Sequence, residues 1–165
     1  MAQLYLGGVL NRWGRMKTHP RTRVNRGEME FVLVSEAERG GLPAITMTQG
    51  DVRELQLAKG AIRTGIDALL KRKGLTADQI DQVIIAGAFG TYINVASAMA
   101  IGMLPRLPLE KVRQVGNAAG MGAKLALIDK SKRAEAHALG SRVGYIELSI
   151  DPEFESSFVQ ATLLG

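Results

Sequence analysis

A short apolar run that ends directly in a glycine turn constrains the fold of this chain more than any other feature. The run QVIIA at residues 82–86 has the length and the branched side chains of a buried strand. It is followed at once by Gly87, Ala88, Phe89 and Gly90. At the carboxyl end of a strand, such a turn lets backbone without side chains approach a ligand closely. The same residues also fit a tight strand-to-helix turn with a purely structural role, so the neighbouring segments decide between the two.

The segment before this strand has the pattern of a long amphipathic helix. Thr48 and Asp51 have the spacing of a capping box, which satisfies free amide groups at a helix start. Three basic residues followed by Gly74 are typical of a helix end. Between these signals apolar residues recur at threes and fours, at Val52, Leu55, Ala58, Ile62, Ile66, Leu69 and Leu70. The pattern predicts a helix over residues 49–73, packed on one face of a sheet that has residues 83–86 as a central strand.

The same order of strand, glycine turn and helix occurs again downstream. VRQV at residues 112–115 is predicted as a strand, and the glycine- and alanine-rich segment after it as a helix. Asn117 is expected to cap that helix, while Gly116 and Gly120 allow close packing. A further helix is predicted over residues 94–104, between the two strands. Two such units in succession predict an α/β domain.

The flanking regions carry weaker signals. A short helix is predicted within residues 2–10, and the residues after it show no regular periodicity. Turn chemistry between two apolar runs predicts a hairpin. The remaining predictions are a strand from Met29, a second short strand at 44–46, a helix near 131–139, a strand at 142–148 and a final helix started by Asp151 and Pro152.

Composition excludes several classes of protein. Apolar residues make up 46% of the chain and charged residues 22%, which is the balance of a globular domain. The chain contains no cysteine, so it can form neither a disulfide framework nor a thiolate metal site nor a cysteine-ligated iron–sulfur cluster. We therefore expect a cytoplasmic protein. Every apolar stretch is interrupted well short of the roughly 20 residues that a membrane helix needs, so we expect no membrane association.

The net charge is confined to one end of the chain. Residues 1–28 carry the whole excess of +5, and the remainder has as many acidic as basic side chains. No helix-turn-helix, zinc-finger or RNA-binding aromatic motif accompanies this basic segment. We expect a solvated or domain-facing loop and no nucleic-acid site. The basic residues are Arg12, Arg15, Lys17, Arg21, Arg23 and Arg26.

The order of these segments resembles the second lobe of the sugar kinase, Hsp70 and actin superfamily. Six blocks also look like the reductive activators of corrinoid proteins, and the resemblance covers roughly residues 1–162. The blocks are TQGDVRELQLAKGAIRTGI, IIAGAFGTYIN, GMLP, VGNAAGMGAKLAL, YIELS and the late pair Phe154 and Phe158. The resemblance implies a ribonuclease H-like, actin-like ATPase lobe in which helices flank a mixed sheet. It implies a single domain over residues 1–165, with residues 1–28 as a basic, irregular N-terminal segment.

The resemblance also implies where a nucleotide binds. In this superfamily the glycine turn after the strand is the adenosine motif, which assigns Gly87, Ala88, Phe89 and Gly90 to cofactor binding. A second set lies on one side of the long helix at steps of three and four, where related folds line the adenine and ribose pocket. Lys59 is suited to ribose hydroxyls, and the planar guanidinium of Arg63 to stacking on adenine. The third member of this set is Gln56; a solvated polar helix face is the alternative reading.

The family resemblance implies an ATP-dependent activator that returns Co(II) corrinoid proteins to Co(I). Members carry a [2Fe–2S] cluster in an N-terminal domain, which is missing from these residues. No Asp-x-Gly-[Ser/Thr] phosphate loop is found, and residues 120–125 depart from a Walker A pattern. We therefore expect only the adenosine part of ATP with magnesium to bind here. We assign no catalytic residue and no metal ligand, and expect no ATP hydrolysis by this chain alone.

The expected partners follow from the same resemblance. They are a corrinoid protein of a methyltransferase system, the missing N-terminal part of the same activator, and a second copy of the chain as a homodimer partner. A different class of function stays open beside this one. In that alternative the chain is a non-catalytic interaction or dimerisation module that docks a corrinoid protein through its basic N-terminal segment.

Overall fold

A computed structural model describes the backbone of residues 1–165 and every side chain except those of Ala88 and Phe89. The strands are β1 (Thr22–Asn25), β2 (Glu28–Val34), β3 (Ile45–Thr48), β4 (Val83–Ala86) and β5 (Val112–Val115). The helices are α1 (Ala2–Leu6), α2 (Gln49–Lys73), α3 (Ala88–Tyr92), α4 (Val95–Ala100), α5 (Ala118–Ile128), α6 (Lys130–Gly140) and α7 (Phe154–Thr162). No helix in the described part of the chain is both long and apolar enough to cross a membrane.

The first three strands form an antiparallel sheet in the order β1-β2-β3. The predicted hairpin is present as β2 and β3, with an irregular register between Val32 and Val34. Strand β1 was not predicted, because three of its four residues are polar. It forms because Arg26 and Gly27 both adopt positive φ, 51° and 83°, which gives the twist that a two-residue hairpin turn needs.

The two remaining strands, β4 and β5, form a separate parallel sheet. Val83 pairs with Val112 at one end, and Ala86 pairs with Val115 at the other. Both predicted strands are confirmed. Strand β4 is not central within the described chain, because its one partner there is β5. The antiparallel and parallel pairings thus lie in two sheets instead of one mixed sheet.

Helix α2 forms over the predicted residues because both of its ends are capped. The amide of Asp51 donates to the Thr48 hydroxyl at 3.1 Å, and the Thr48 amide donates to the Asp51 carboxylate at 2.8 Å. At the other end Gly74 adopts φ 65° and donates back into the last turn. The main packing partner of α2 is α7. On the side of the β4 sheet, Ile66 of α2 packs against the same hydrophobic cluster as Ile85 of β4.

Two hydrophobic clusters hold the chain together. One joins the N-terminal segment, the antiparallel sheet, α2 and the C-terminus through Leu4, Val9, Leu10, Met16, Phe31, Val52 and Leu164. The other is built on α4 and the loop after it, through Ala98, Met99 and Leu104. Ile85 of β4 and Val112 of β5 pack against this second cluster. The parallel pair is therefore supported from the side of α4.

Two segments of the second half of the chain depart from their predicted pattern. Residues 142–148 do not form the predicted strand, because Gly144 interrupts the segment and Glu147 makes local bonds with Tyr145 and Ser149 instead. Helix α4 ends at Ala100, earlier than predicted, since Gly102 adopts φ 76°. The helix predicted near 131–139 is confirmed as α6, and the final helix as α7.

Candidate functional site

The predicted glycine turn lies at the carboxyl end of β4. Gly87 adopts φ 88°, a left-handed conformation that side chains disfavour. Its amide donates to the carbonyl of Gly116 at 2.8 Å, and its own carbonyl accepts from the amide of Gly90 at 3.0 Å. Helix α3 begins at the next residue, Ala88. The predicted contacts through the side chains of Ala88 and Phe89 lie outside the described residues.

The two glycines of this turn face different surroundings. A Cβ atom built on Gly87 would meet nothing within 4 Å. A Cβ atom on Gly90 would lie 2.5 Å from the carbonyl oxygen of Ile85 and 3.3 Å from that of Val115. Gly90 is therefore required by close packing against the sheet. Gly87 is required by its backbone angle, and beside it the space is open.

A second turn adjoins the first at the same edge of the sheet. Gly116 follows β5 directly, and a Cβ atom on it would again meet nothing within 4 Å. The side chain of Asn117 accepts from the amide of Gly120 at 2.8 Å, so the predicted cap of α5 is confirmed. Because β4 and β5 are parallel, their carboxyl ends meet, and the bond from Gly87 to Gly116 joins the turns. The result is an open edge of backbone that carries no side chain at Gly87 or Gly116.

Two of the predicted side chains on α2 instead contact the end of the chain. The amide of Gln56 donates to the carbonyl of Thr162 at 3.0 Å. The ammonium of Lys59 donates to the carbonyl of Leu163, and the residue is only 3% exposed. Tyr5 adds a hydroxyl bond to the carbonyl of Leu164 at 3.1 Å. These three side chains hold successive C-terminal carbonyls in place.

Arg63 lies one turn further along α2, at the edge of a cleft. Its guanidinium pairs with Asp67 at 2.8 Å. The cleft has a volume of about 440 Å³ and lies between α2 and α7. Neither Gly87 nor Gly90 lines it. The structure thus separates the predicted site residues into two groups, the turn at 87–90 and the side chains on α2, and their role in nucleotide binding stays a prediction.

Electrostatics distinguish Lys59 from the other basic residues of α2. Burial, and to a smaller extent the positive charge of Arg63, lowers the pKa of Lys59 to about 8 from an ordinary value of 10.5. Among the described side chains, no three His, Asp or Glu residues lie close enough to hold a metal ion. The cleft is lined by three basic side chains, Arg12, Lys59 and Arg63, and by the carboxylate of Asp67, so its lining is positive when Lys59 is protonated.

The basic N-terminal segment is partly neutralised by the antiparallel sheet. Arg21 pairs with Glu38 at 3.0 Å, and Arg23 pairs with Glu30 at 2.7 Å and Glu36 at 3.1 Å. Hydrogen bonds from the amide and hydroxyl of Ser35, followed by that from Arg21, lower the pKa of Glu38 to about 2. These pairs fix β1 and the loop after β2, so this half of the segment is structural.

The sequence analysis gave Gly116 a close-packing role, which is wrong because a Cβ atom there would meet nothing within 4 Å, and it missed the place of Gly116 at the candidate site. Its carbonyl receives the Gly87 amide, and its own position beside open space matches that of Gly87. The signal for it was present, because a glycine follows each of the two predicted strands. Recognising it required the parallel pairing of these strands, which brings the two turns together.

Comparison with known proteins places this geometry in a family. The family model for the C-terminal domain of RACo, the ASKHA domain, matches residues 1–165. The corrinoid activation enzyme RamQ of Eubacterium limosum is 39% identical over 135 residues, which are 82% of this chain and 23% of that protein. The [Co(II) methylated amine-specific corrinoid protein] reductase of Methanosarcina barkeri is 27% identical over 101 residues, 61% of this chain and 18% of that protein.

A solved structure supports the same assignment. A reductive activator for corrinoid, iron-sulfur protein superimposes with a TM-score of 0.88 and 35% identity, over 99% of this chain and 26% of that one. The chain thus spans between 18% and 26% of the length of the proteins it matches. The predicted α/β class and actin-like ATPase fold are confirmed. The chain belongs to the family of RACo C-terminal domains, which are ASKHA domains.

Proposed function

We propose that this chain is the adenosine-binding, C-terminal lobe of an ATP-dependent reductive activator of corrinoid proteins. The observation that carries the proposal is the pair of glycine turns at Gly87 and Gly116, joined by a 2.8 Å backbone bond. Both lie at the carboxyl ends of parallel strands, which is where open α/β sheets bind their ligands. The names of the relatives, which are corrinoid activators, support the activator role.

The residues present fit an adenosine. Recognition by backbone requires that no side chain stand between the turn and the ligand, and the space beside Gly87 and Gly116 is open. Gly90 holds the turn flat against the sheet, because its missing side chain lets it pack on Ile85 and Val115. The amides of Gly87 and Gly90 are already bonded within the turns, so in this proposal the edge offers adenosine a flat backbone surface and the second lone pairs of the turn carbonyls.

Lys59, Arg63 and Gln56 remain proposed adenosine contacts, and they would act through side chains instead of backbone. Lys59 and Gln56 already donate to the carbonyls of Leu163 and Thr162, so a nucleotide that used them would compete with the C-terminal segment. Arg63 bonds Asp67 through its Nε atom, which leaves the outer nitrogens of the guanidinium for a ligand in the cleft. Backbone recognition at residues 87–90 is therefore the primary interaction in this proposal.

In the whole activator, binding of ATP would favour closure of the lobes and so promote transfer of an electron to a Co(II) corrinoid. The phosphate and magnesium contacts and the [2Fe–2S] cluster belong, in this proposal, to the rest of the activator. ATP supplies the free energy of an unfavourable reduction, and this chain contributes to orienting the adenosine. The lack of cysteine supports work in a reducing cytoplasm, with a corrinoid protein of a methyltransferase system as partner.

The test is backbone amide chemical-shift mapping of the isotope-labelled chain during titration with adenosine and with ATP and magnesium. We expect both ligands to shift the amides of Gly87, Gly90 and Gly116, with dissociation constants on the order of millimolar or weaker. We expect no release of phosphate from ATP, since positioning of the γ-phosphate needs groups outside an adenosine turn. Shifts confined to residues far from these turns would contradict the proposal.

A matched pair of variants separates ligand contact from folding. Gly87 and Gly41 have similar backbone angles, φ 88° and 90°, and both face open space. Gly87→Ala and Gly41→Ala should therefore cost similar stability, and Gly87→Ala alone should weaken adenosine binding. Equal affinities in the two variants would show that Gly87 does not approach the nucleotide.

A further inference from the structure

The N-terminal segment folds into a small hairpin whose tip lies against the start of α2 and the C-terminal residues. Leu10 and Met16 form a β-bridge at its base. Asn11 organises the tip, because its side-chain oxygen accepts from the amides of Trp13 at 3.0 Å and Arg15 at 2.9 Å. The Asn11 amide also donates to the carbonyl of Arg15 at 3.0 Å. These bonds satisfy the turn locally and give it one conformation.

The domain fixes this hairpin from below. The side chain of Gln49, the first residue of α2, accepts from the amide of Met16 at 2.9 Å and donates to the carbonyl of Gly14 at 2.8 Å. The amide of Leu164 donates to the carbonyl of Arg12 at 2.8 Å. The tip is therefore clamped on both strands, and it cannot fold back over its own side chains.

The clamp displays the single tryptophan of the chain to solvent. Trp13 is 67% exposed, whereas Leu10 and Met16 on either side of the tip are buried. A large aromatic residue loses the benefit of burial at such a position, and a rigid tip offers no alternative place for it. Tryptophan and arginine are also the residues that most often dominate the energy of protein interfaces. The geometry thus has the character of a preformed anchor.

The charges beside Trp13 are not compensated within the domain. Residues 1–17 contain Arg12, Arg15 and Lys17 and no acidic side chain. Among the described residues none of these three forms an ion pair within 4.0 Å, whereas Arg21 and Arg23 do. Of the four basic side chains in residues 1–28 without such a pair, three therefore lie on the hairpin, and the fourth is Arg26.

We propose that this hairpin, residues 10–17, is a docking element for a protein surface that presents an apolar recess bordered by carboxylates. Trp13 would enter the recess, and Arg15 and Lys17 would pair with the carboxylates. This surface goes beyond nucleotide binding and involves neither glycine turn; it depends on the proposed function only for the choice of probe. Protein fits better than nucleic acid, because single-strand binding uses several stacking aromatics along a groove, and this hairpin carries one aromatic residue, Trp13.

The test uses the fact that Trp13 is the one tryptophan in the chain. Replacing it with 5-fluorotryptophan gives a single fluorine resonance that reports the hairpin alone, even beside an unlabelled protein. The probe is a purified methylated amine-specific corrinoid protein in the Co(II) state, chosen from the name of the Methanosarcina barkeri relative. We expect this resonance to shift on addition of the probe, and calorimetry to give an affinity that weakens with added salt.

Variants with matched controls assign the contacts. Trp13→Ala should weaken binding about tenfold or more, while Tyr145→Ala, at a residue that is 83% exposed, should leave it unchanged. Arg15→Glu should weaken binding about tenfold through charge reversal, and Arg142→Glu, an equal change at another exposed arginine, should not. Equal affinities for Trp13→Ala and Tyr145→Ala would overturn the proposal.

The clamp itself provides a sharper variant. Gln49→Ala removes both side-chain bonds to the hairpin without touching Trp13 or a cation. Loss of the preformed shape should weaken binding about three- to tenfold, and the fluorine resonance of the free chain should change its line width as the tip becomes mobile. Unchanged binding together with a mobile tip would show that preorganisation has no part in docking.

The remaining outcomes are also decisive. Absence of binding to the corrinoid protein, or a fluorine shift with a single-stranded oligonucleotide or anionic vesicles instead, would overturn the proposal in favour of no partner, nucleic acid or lipid. None of these results affects the proposed nucleotide function, because that is read from the amides of Gly87, Gly90 and Gly116 without any partner present.

Discussion

The two groups of predicted ligand residues differ in whether other segments of the folded chain cover them. At the glycine turns, the backbone of Gly87 and Gly116 faces open space. On α2, the polar ends of Gln56 and Lys59 are bonded to C-terminal carbonyls. A polar side chain that fits a ligand equally fits a neighbouring segment, and folding satisfies it there. A glycine has no side chain that a neighbouring segment could bond. Glycines after a strand therefore indicate a binding edge more reliably than polar residues on a helix face do.

The largest expected effect separates the two glycines of the turn. Gly90→Ala places a Cβ atom 2.5 Å from the Ile85 carbonyl, and backbone atoms of a strand cannot easily move aside. We expect a loss of about 3 kcal/mol in the free energy of unfolding, measured by urea denaturation. A loss near zero would mean that the turn can move away from the sheet. The contrast between the packed Gly90 and the unobstructed Gly87 would then disappear.

The second prediction concerns the buried ammonium on α2. The pKa of Lys59 is about 8 in the folded chain and 10.5 ordinarily, so across this window the unfolded chain holds a proton that the folded chain has released. Stability should therefore rise with pH from about 8 to about 10.5, and below pH 8 the folded state bears the full cost of the buried charge. Relative to Lys59→Met, the wild-type chain should gain about 2 kcal/mol between pH 7.5 and 10.

Denaturation curves of both proteins at each pH provide this measurement, and the variant cancels the titration of every other group. A difference that stays constant with pH would mean that Lys59 is well solvated. The ammonium of Lys59 would then be as accessible to a ligand as the backbone of the glycine turns is.

A smaller effect is expected at the open glycine. Gly87→Ala introduces a side chain at φ 88° without a steric contact, so its cost is that of backbone strain alone. We expect about 1 kcal/mol, within error of the cost of Gly41→Ala. Urea denaturation of the pair measures it, and a much larger loss at Gly87 would indicate packing that the open edge does not have.

The smallest effect is expected at Arg63. Its pair with Asp67 joins two partly exposed side chains one turn apart on α2, and solvent screens such pairs. Arg63→Gln should cost only about 0.3 to 0.5 kcal/mol in thermal or urea denaturation. A loss several times larger would place Arg63 among the structural residues with Lys59 and Gln56, instead of among those still available to a ligand.

Local signals account for the parts of the fold that sequence predicted well. The cap at Thr48 and Asp51, the strand at residues 83–86 and the cap at Asn117 each depend on a few neighbouring residues, and all are present. The predicted strand at 142–148 failed because, within the described chain, no partner strand compensates for Gly144 and for the local bonds of Glu147. Strand β1 was missed for the converse reason, since pairing with β2 compensates for its weak sequence.

The residues of the candidate site likewise divide into those that local sequence could identify and those that depend on distant segments. Gly87 and Gly90 could be identified as turn residues because a tight turn directly after a strand requires glycine at both positions. The partners of Gln56 and Lys59 could not, because Thr162 and Leu163 lie more than a hundred residues away in sequence and accept only through carbonyl oxygens, which every residue has. Periodicity places a side chain on a helix face but does not identify the segment that covers that face.

The cluster that joins Leu4, Val9 and Leu10 to Leu164 has a consequence for the order of events during synthesis. Contacts between the first and last residues of a segment are the most costly to close, because the whole intervening chain must first be brought together. The N-terminal hairpin can therefore acquire its final clamp only after residue 164 has left the ribosome, even though its own residues are made well before that residue. Until then Leu4 and Leu10 lack one side of their core, and a nascent chain that pauses before residue 164 should expose them to chaperones.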